Sequence, residues 1–153
     1  MSVDTMARLF ELKNIAGVKD ATGDPNRIDA TLKKLGPDFI QLTGEDGFAL
    51  EFNRRGGVGI ISVTANIAPK LCSDFQKYSK SKTDNEIKEA ERIDQILQPI
   101  HKSLFIESNP APVKYAAKLL GLCGDEIRLP LVKIKKETEE QVKKALSSAN
   151  LLS

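Results

Sequence analysis

Apolar residues recur in two rhythms along this chain. Met6, Leu9 and Phe10, with Leu12, fall at helical spacing and predict a helix over residues 5–13. A short apolar run, Ile15 to Val18, follows and ends at Lys19. Asp24-Pro25 then reads as an N-cap with proline in the first turn, and Ile28, Leu32 and Leu35 carry a second helix that Gly36-Pro37 stops. The unit repeats. Phe39 to Leu42 reads as a strand closed by Thr43-Gly44, and Phe48, Leu50 and Phe52 as a helix ending at Gly56-Gly57. Val58 to Val63 is a third strand, almost wholly apolar, as expected of a parallel strand covered on both faces. Asn66 is placed to cap the next helix, where Leu71, Phe75 and Tyr78 keep the period.

From there the pattern is helical only. A polar break over 79–85 is followed by Ile93, Ile96, Leu97, Ile100 and Leu104 on one helical face. Asn109-Pro110-Ala111-Pro112 opens a further helix with Gly121 as its stop. Thr138 with Gln141 fits a capping box for a last helix bearing Val142, Ala145, Leu146 and Ala149. Strands alternating with helices are the pattern of parallel α/β folds. Three strands leave both outer strands with open edges, an association liability.

Composition narrows the reading. The 153 residues are 41% hydrophobic and 29% charged, an ordinary globular balance and the size of one domain or a piece of a larger one. With 23 basic and 21 acidic residues the net charge is +2, without the basic excess of a charge-driven nucleic-acid binder. No apolar run approaches the roughly 20 residues of a membrane-spanning helix. Met1-Ser2-Val3-Asp4 shows no secretory leader, so a cytoplasmic protein is expected. Cys72 and Cys123 lack metal-ligand or disulfide-framework spacing and read as reduced, packing thiols. His101 is the single histidine and reads as structural or surface.

In parallel α/β folds, chemistry gathers at the carboxyl ends of strands. That rule selects 19–23, 43–46 and 62–66. Lys19 ends an apolar run. If its ammonium is partly desolvated its pKa falls, and a neutral amine can attack a carbonyl to form a Schiff base. On position alone the ordinary reading is a solvated loop lysine beside Asp20, since lysines are mostly exposed. Thr22-Gly23-Asp24 offers amides to an anion at a helix N-terminus, or is a plain turn and N-cap. Gly56-Gly57-Val58-Gly59 precedes a strand, the wrong order for a phosphate-cradling loop. Lys133, Lys135 and Lys136 read as a solvated face.

These same residues carry a resemblance. Gly17-Val18-Lys19-Asp20-Ala21-Thr22-Gly23-Asp24 resembles the Schiff-base lysine segment of the dihydrodipicolinate synthase/N-acetylneuraminate lyase family. Leu42-Thr43-Gly44-Glu45-Asp46 is similar to the end of that family's seventh strand. Gly57-Val58-Gly59-Ile60-Ile61-Ser62-Val63-Thr64-Ala65-Asn66 is similar to its eighth, and Glu107-Ser108-Asn109-Pro110-Ala111-Pro112-Val113-Lys114-Tyr115 to its C-terminal helical signature. The ordered matches run from residue 8 to about 152, and their wording points to the synthase branch rather than the sialic-acid lyases.

The resemblance implies an α/β fold, a partial (β/α)8 TIM barrel: strands six to eight with their helices over 1–81, then a C-terminal helical region over 82–153. It implies Lys19 as imine-forming nucleophile, Gly44 facing pyruvate through its backbone, and Ile61 packing near lysine and pyruvate. Substrates would be pyruvate and L-aspartate 4-semialdehyde, in lysine (diaminopimelate) biosynthesis. No metal or organic cofactor is implied. A related lyase or aldolase acting on a sialic acid or 2-keto-3-deoxy sugar acid, and a non-catalytic fragment, are the alternatives. Asp20 stands where the family often has Glu.

Length is the departure. Such a barrel typically needs about 250 residues, and five strands with their active-site loops are expected to be absent. Three strands cannot close a barrel. At about 25 cal/mol per Å², leaving Ile40, Leu42, Ile60 and Ile61 uncovered forfeits many kcal/mol, against a net domain stability of about 5–15 kcal/mol. The expected partner is therefore a separate N-terminal half, or a second copy of the chain.

Overall fold

The computed structural model of the protein describes residues 1–152. The chain forms two compact units, Met1–Ser62 and Val63–Ser153.

The first unit runs α1 (Val3–Phe10), β1 (Gly17–Asp20), α2 (Pro25–Leu35), β2 (Ile40–Thr43), α3 (Ala49–Arg54) and β3 (Gly59–Ile60). The boundaries of α2 follow local chemistry. Asp24 Oδ1 accepts the Asn26 amide at 2.9 Å, and Pro25 sits in the first turn, where a missing N–H costs nothing. Gly36 ends the helix at a φ of 79°, a conformation open to glycine. Met6, Ile28, Phe39 and Phe52 are buried, and Phe10 meets Phe39 edge to face at 5.0 Å.

The three strands are parallel, in the order β1-β2-β3. Lys19 stands opposite Leu42, and Thr43 opposite Ile60. Aligned residues of a parallel pair share a face, so Gly17, Lys19, Ile40 and Leu42 point one way and Val18, Asp20, Gln41, Thr43 and Ile60 the other. The second face is covered by helix: Gln41 and Thr43 are buried, and Gln41 Nε2 donates to the Ile28 carbonyl of α2 at 3.4 Å. The first face is open, with Ile40 43% exposed. Ile60 therefore sits with Thr43 on the helix side, and does not share the open face with Ile40 and Leu42 as expected from the sequence.

The third strand is much shorter than its apolar run. The Val58 amide donates to Gln41 O at 3.0 Å and the Ile61 amide to Thr43 O at 2.9 Å. The ladder stops where β2 stops, and Val58 and Ile61 are left about half exposed.

The second unit opens with a 3₁₀ turn, Thr64–Asn66, followed by α4 (Pro69–Ser79), α5 (Asp84–Leu104), α6 (Ala111–Leu119) and α7 (Lys136–Ser148). Helix α5 packs on α4 and α7, and α6 on α7. Ile93, Leu97, Ile100 and Leu104 form the buried stripe of α5 and meet a buried stripe of Val142, Ala145 and Leu146 on α7.

Two caps differ from expectation. Asn66 does not cap α4, whose N-cap is Ala68. Its Nδ2 instead donates to the Val63 carbonyl at 2.9 Å and closes the 3₁₀ turn. Nor do Thr138 and Gln141 box the start of α7, because the helix begins at Lys136 and Thr138 lies buried within it. The terminus is met from 28 residues away: Glu107 Oε1 accepts the Lys135 amide at 2.9 Å. The Thr138 hydroxyl and that amide hold the Glu107 carboxyl below its ordinary range. Among the described residues, no helix is long and apolar enough to cross a membrane.

Candidate active site

Lys19 is the third residue of β1 and belongs to the open face of the sheet. Its side chain is exposed. That exposure agrees with the reading of a solvated lysine beside Asp20 and not with that of a partly desolvated one.

Gly44 follows the end of β2, and its amide donates to the Asp20 carbonyl at 2.8 Å, extending the ladder by one bond. A β-carbon at Gly44 would lie 2.4 Å from Lys19 Cε, 3.4 Å from Lys19 Nζ and 3.0 Å from Ala21 Cβ. Glycine here lets the ammonium end of Lys19 rest against main chain at the strand ends. The structure thus brings Lys19 and Gly44 together. Ile61 lies one strand further across, tied to β2 by its amide and about half exposed.

Two further groups brace these strand ends. The Thr43 hydroxyl accepts the Glu45 amide at 3.0 Å, fixing the turn after Gly44. Asp46 is 1% exposed and its Oδ1 accepts a short hydrogen bond from the Ser62 hydroxyl. The strand-end rule selected the segments that hold Asp46 and Ser62 but gave neither a role, because their partnership spans 16 residues and has no local signature.

Asp20 faces α2, away from Lys19. Its Oδ1 accepts the Thr22 amide at 2.8 Å and the Thr22 hydroxyl at 2.6 Å, and its Oδ2 accepts from Arg27 Nε at 2.7 Å. Partial burial works to raise the Asp20 carboxyl. The Thr22 hydrogen bonds and the Arg27 guanidinium outweigh it, so the group sits below its ordinary value. These bonds also decide the role of 22–24. The Thr22 amide is engaged by Asp20 and the Asn26 amide by Asp24, so the segment is a turn and N-cap and does not present those amides to an outside anion.

The other residues singled out have structural settings. His101 is buried in α5, with Nδ1 hydrogen-bonded to the Thr64 hydroxyl at 2.7 Å. Cys72 is buried, Cys123 is exposed, and neither is in a disulfide. Lys133 pairs with Asp125 at 3.0 Å. Among the described residues, no three His, Cys, Asp or Glu side chains gather where they could hold a metal ion.

A lysine at the end of a parallel strand, lying against a glycine backbone at the end of the next, defines an α/β protein with an amine poised at the strand ends. The sequence pattern of the dihydrodipicolinate synthetase family matches residues 1–149, and the chain belongs to that family. It is 72% identical over 152 residues to 4-hydroxy-tetrahydrodipicolinate synthase of Pelagibacter ubique, covering 99% of this chain and 52% of that protein. It is 52% identical to the synthase of Parvibaculum lavamentivorans, covering 99% of this chain and 51% of that protein. Among solved structures, dihydrodipicolinate synthase from Aquifex aeolicus superposes with a TM-score of 0.91 at 36% identity, over 98% of this chain and 50% of that one. The chloride-inhibited enzyme from Acinetobacter baumannii, complexed with pyruvate, gives 0.91 at 39% identity, over 99% and 51%. The chain spans about half the length of the relatives it matches.

Proposed function

We propose that this chain carries the catalytic-lysine half of a 4-hydroxy-tetrahydrodipicolinate synthase, a Schiff-base-forming lyase of lysine (diaminopimelate) biosynthesis working in the cytoplasm. The observation that carries the reading is Lys19, set at the end of β1 with its ammonium end against Gly44. The Lys19 amine attacks the ketone carbon of pyruvate, and water leaves as the imine forms. Loss of a methyl proton gives the enamine, whose carbon attacks the aldehyde of L-aspartate 4-semialdehyde. Ring closure by the substrate amine then releases the lysine. The chemistry uses no cofactor. Gly44 lines the pyruvate side with backbone, and Ile61 bounds it from the third strand.

The fold reading goes with this. Residues 1–81 supply the last three strands of a (β/α)8 barrel and 82–153 the helical region that follows. The open face bearing Lys19, Ile40 and Leu42 then belongs against the remaining strands of the barrel. The partner is an N-terminal half or a second copy of the chain, and the chain alone turns over little. The similar enzyme from Acinetobacter baumannii, complexed with pyruvate, supports pyruvate as the first substrate.

Borohydride reduction with pyruvate, read by intact mass on the folded chain, tests the reading. One pyruvyl adduct is expected, absent from Lys19→Ala. An adduct that survives in Lys19→Ala removes Lys19 from the mechanism. No adduct, either alone or with an added N-terminal half from the Pelagibacter ubique relative, leaves a non-catalytic fragment.

A further inference from the structure

The geometry points to Asp46 and Ser62 as a positioning pair that fixes the distance between the two backbone walls of the lysine site. This inference rests on the reading of Lys19 as the imine-forming residue.

The third strand is short. Only Gly59 and Ile60 of β3 pair with β2, and the last ladder bond is the Ile61 amide to Thr43 O at 2.9 Å. Ile61 is 51% exposed, so packing of its own side chain contributes little. The next residue, Ser62, donates its hydroxyl to Asp46 Oδ1. Asp46 is two residues beyond Gly44, in a 3₁₀ turn over Asp46–Phe48 that the Glu45 amide enters already bonded to Thr43 Oγ1. One side-chain bond therefore joins the segment carrying Gly44 to the segment carrying Ile61.

The character of that bond suits the task. A carboxylate 1% exposed is tolerated only when hydrogen-bonded, so Asp46 is committed to its partners and does not wander. A hydroxyl-to-carboxyl hydrogen bond is directional, so it sets where the two segments meet. Asp46 and Ser62 are given no part in the chemistry of the amine. They act through Gly44 and Ile61, whose main chain flanks the position the lysine carbonyl adduct would occupy. Loss of the bond lets the end of β3 drift from the end of β2, and misplacement on the order of 1 Å at a reacting centre can cost about a hundredfold.

The test uses the full chain with Ser62→Ala, Asp46→Asn and Ser62→Thr. Where the wild-type chain traps pyruvate, Ser62→Ala is expected to slow trapping about tenfold. The pyruvate concentration for half-maximal trapping should rise, and Ser62→Thr should restore the rate. Trapping by Ser62→Ala at the wild-type rate overturns the proposal, as does a loss that Ser62→Thr fails to rescue. Where the wild-type chain traps nothing, the reading of Lys19 fails for the isolated chain and the pair is judged by amide exchange. Ser62→Ala and Asp46→Asn should then speed exchange of the Ile61 amide about tenfold or more. The Val58 amide, bonded to Gln41 O at the other end of the same segment, should be unchanged. Equal protection of Ile61 in wild type and both variants overturns the proposal.

Discussion

The two units of this chain solve the burial problem in opposite ways. In Val63–Ser153, the facing stripes of α5 and α7 are apolar and shut: Ile100, Leu104, Val142 and Leu146 show 0% exposure. In Met1–Ser62, the strands bury polar residues, Gln41, Thr43 and Asp46, on or near the helix side. They leave Ile40 and Ile61 43% and 51% exposed. The helical unit closes this core with its own helices, and its exposed apolar residues, Leu122, Leu129 and Val132, lie outside α5 and α7. The sheet unit keeps a core of Met6, Ile28, Phe39 and Phe52 on its helix side, and carries Lys19 with Ile40 on its open face. Within this unit the buried core lies on one side of the sheet and the candidate nucleophile on the other.

The sharpest way to break that contrast is to truncate one apolar residue on each side of it. Leu146→Ala, in the closed core of α7, is expected to cost about 2–5 kcal/mol in urea unfolding, through lost transfer energy and the cavity left behind. Ile61→Ala, on the open face, is expected to stay within about 0.5 kcal/mol. Equal losses at the two sites would mean that Ile61 is already covered in solution, as self-association of the open face would produce. Repeating the pair across protein concentrations separates that case, because only an associated face gives a concentration-dependent midpoint.

The contrast also explains what could be read from the sequence. Elements set by near neighbours were legible. Asp24-Pro25 and Gly36 bound α2 through contacts of a few residues, and the stripe on α5 declares itself by period alone. The alternation of strands and helices fixed the parallel α/β class, and the strand-end rule drew attention to Lys19. Features made by distant partners were not legible. The six-residue apolar run at 58–63 predicts a full strand, yet a strand needs neighbours, and β2 offers β3 only two paired positions. The capping-box spacing at Thr138 and Gln141 was overruled by Glu107, reaching the α7 terminus from 28 residues away. Asp46 with Ser62 is the same kind of link. The exposure of Lys19 follows the same logic: an apolar run implies a buried residue at its end only where something covers the sheet.

A smaller effect follows from the carboxylates of the two units. Asp125 in the helical unit is held by Lys118 and Lys133, each at 3.0 Å. The hydrogen bonds and charge of these two lysines bring its pKa to about 2. Asp20 in the sheet unit is lowered too, by Thr22 and Arg27 against the opposing pull of burial. Both groups titrate lower in the folded chain than their unfolded value of about 3.9. Each therefore contributes stability that is complete above about pH 4 and is lost as pH falls through the folded value. The thermal midpoint of wild type should exceed that of Asp125→Asn at pH 5 and converge with it near pH 2.

The partners differ in exposure, and salt should tell them apart. The cations Lys118 and Lys133 are 50% and 62% exposed and Arg27 is 27%, whereas the carboxylates are alike, Asp125 at 13% and Asp20 at 17%. At about 1 M salt the Debye length shrinks to roughly 3 Å, which screens charges bathed in solvent far more than those partly enclosed. The Asp125→Asn difference should mostly vanish in that salt, while the Asp20→Asn difference persists, because Asp20 also holds the Thr22 amide and hydroxyl in the turn after Lys19. A salt response of equal size at the two sites would mean that the turn after β1 is as open as the loop around Asp125. The Lys19 end of the sheet would then lack the local rigidity that imine chemistry requires.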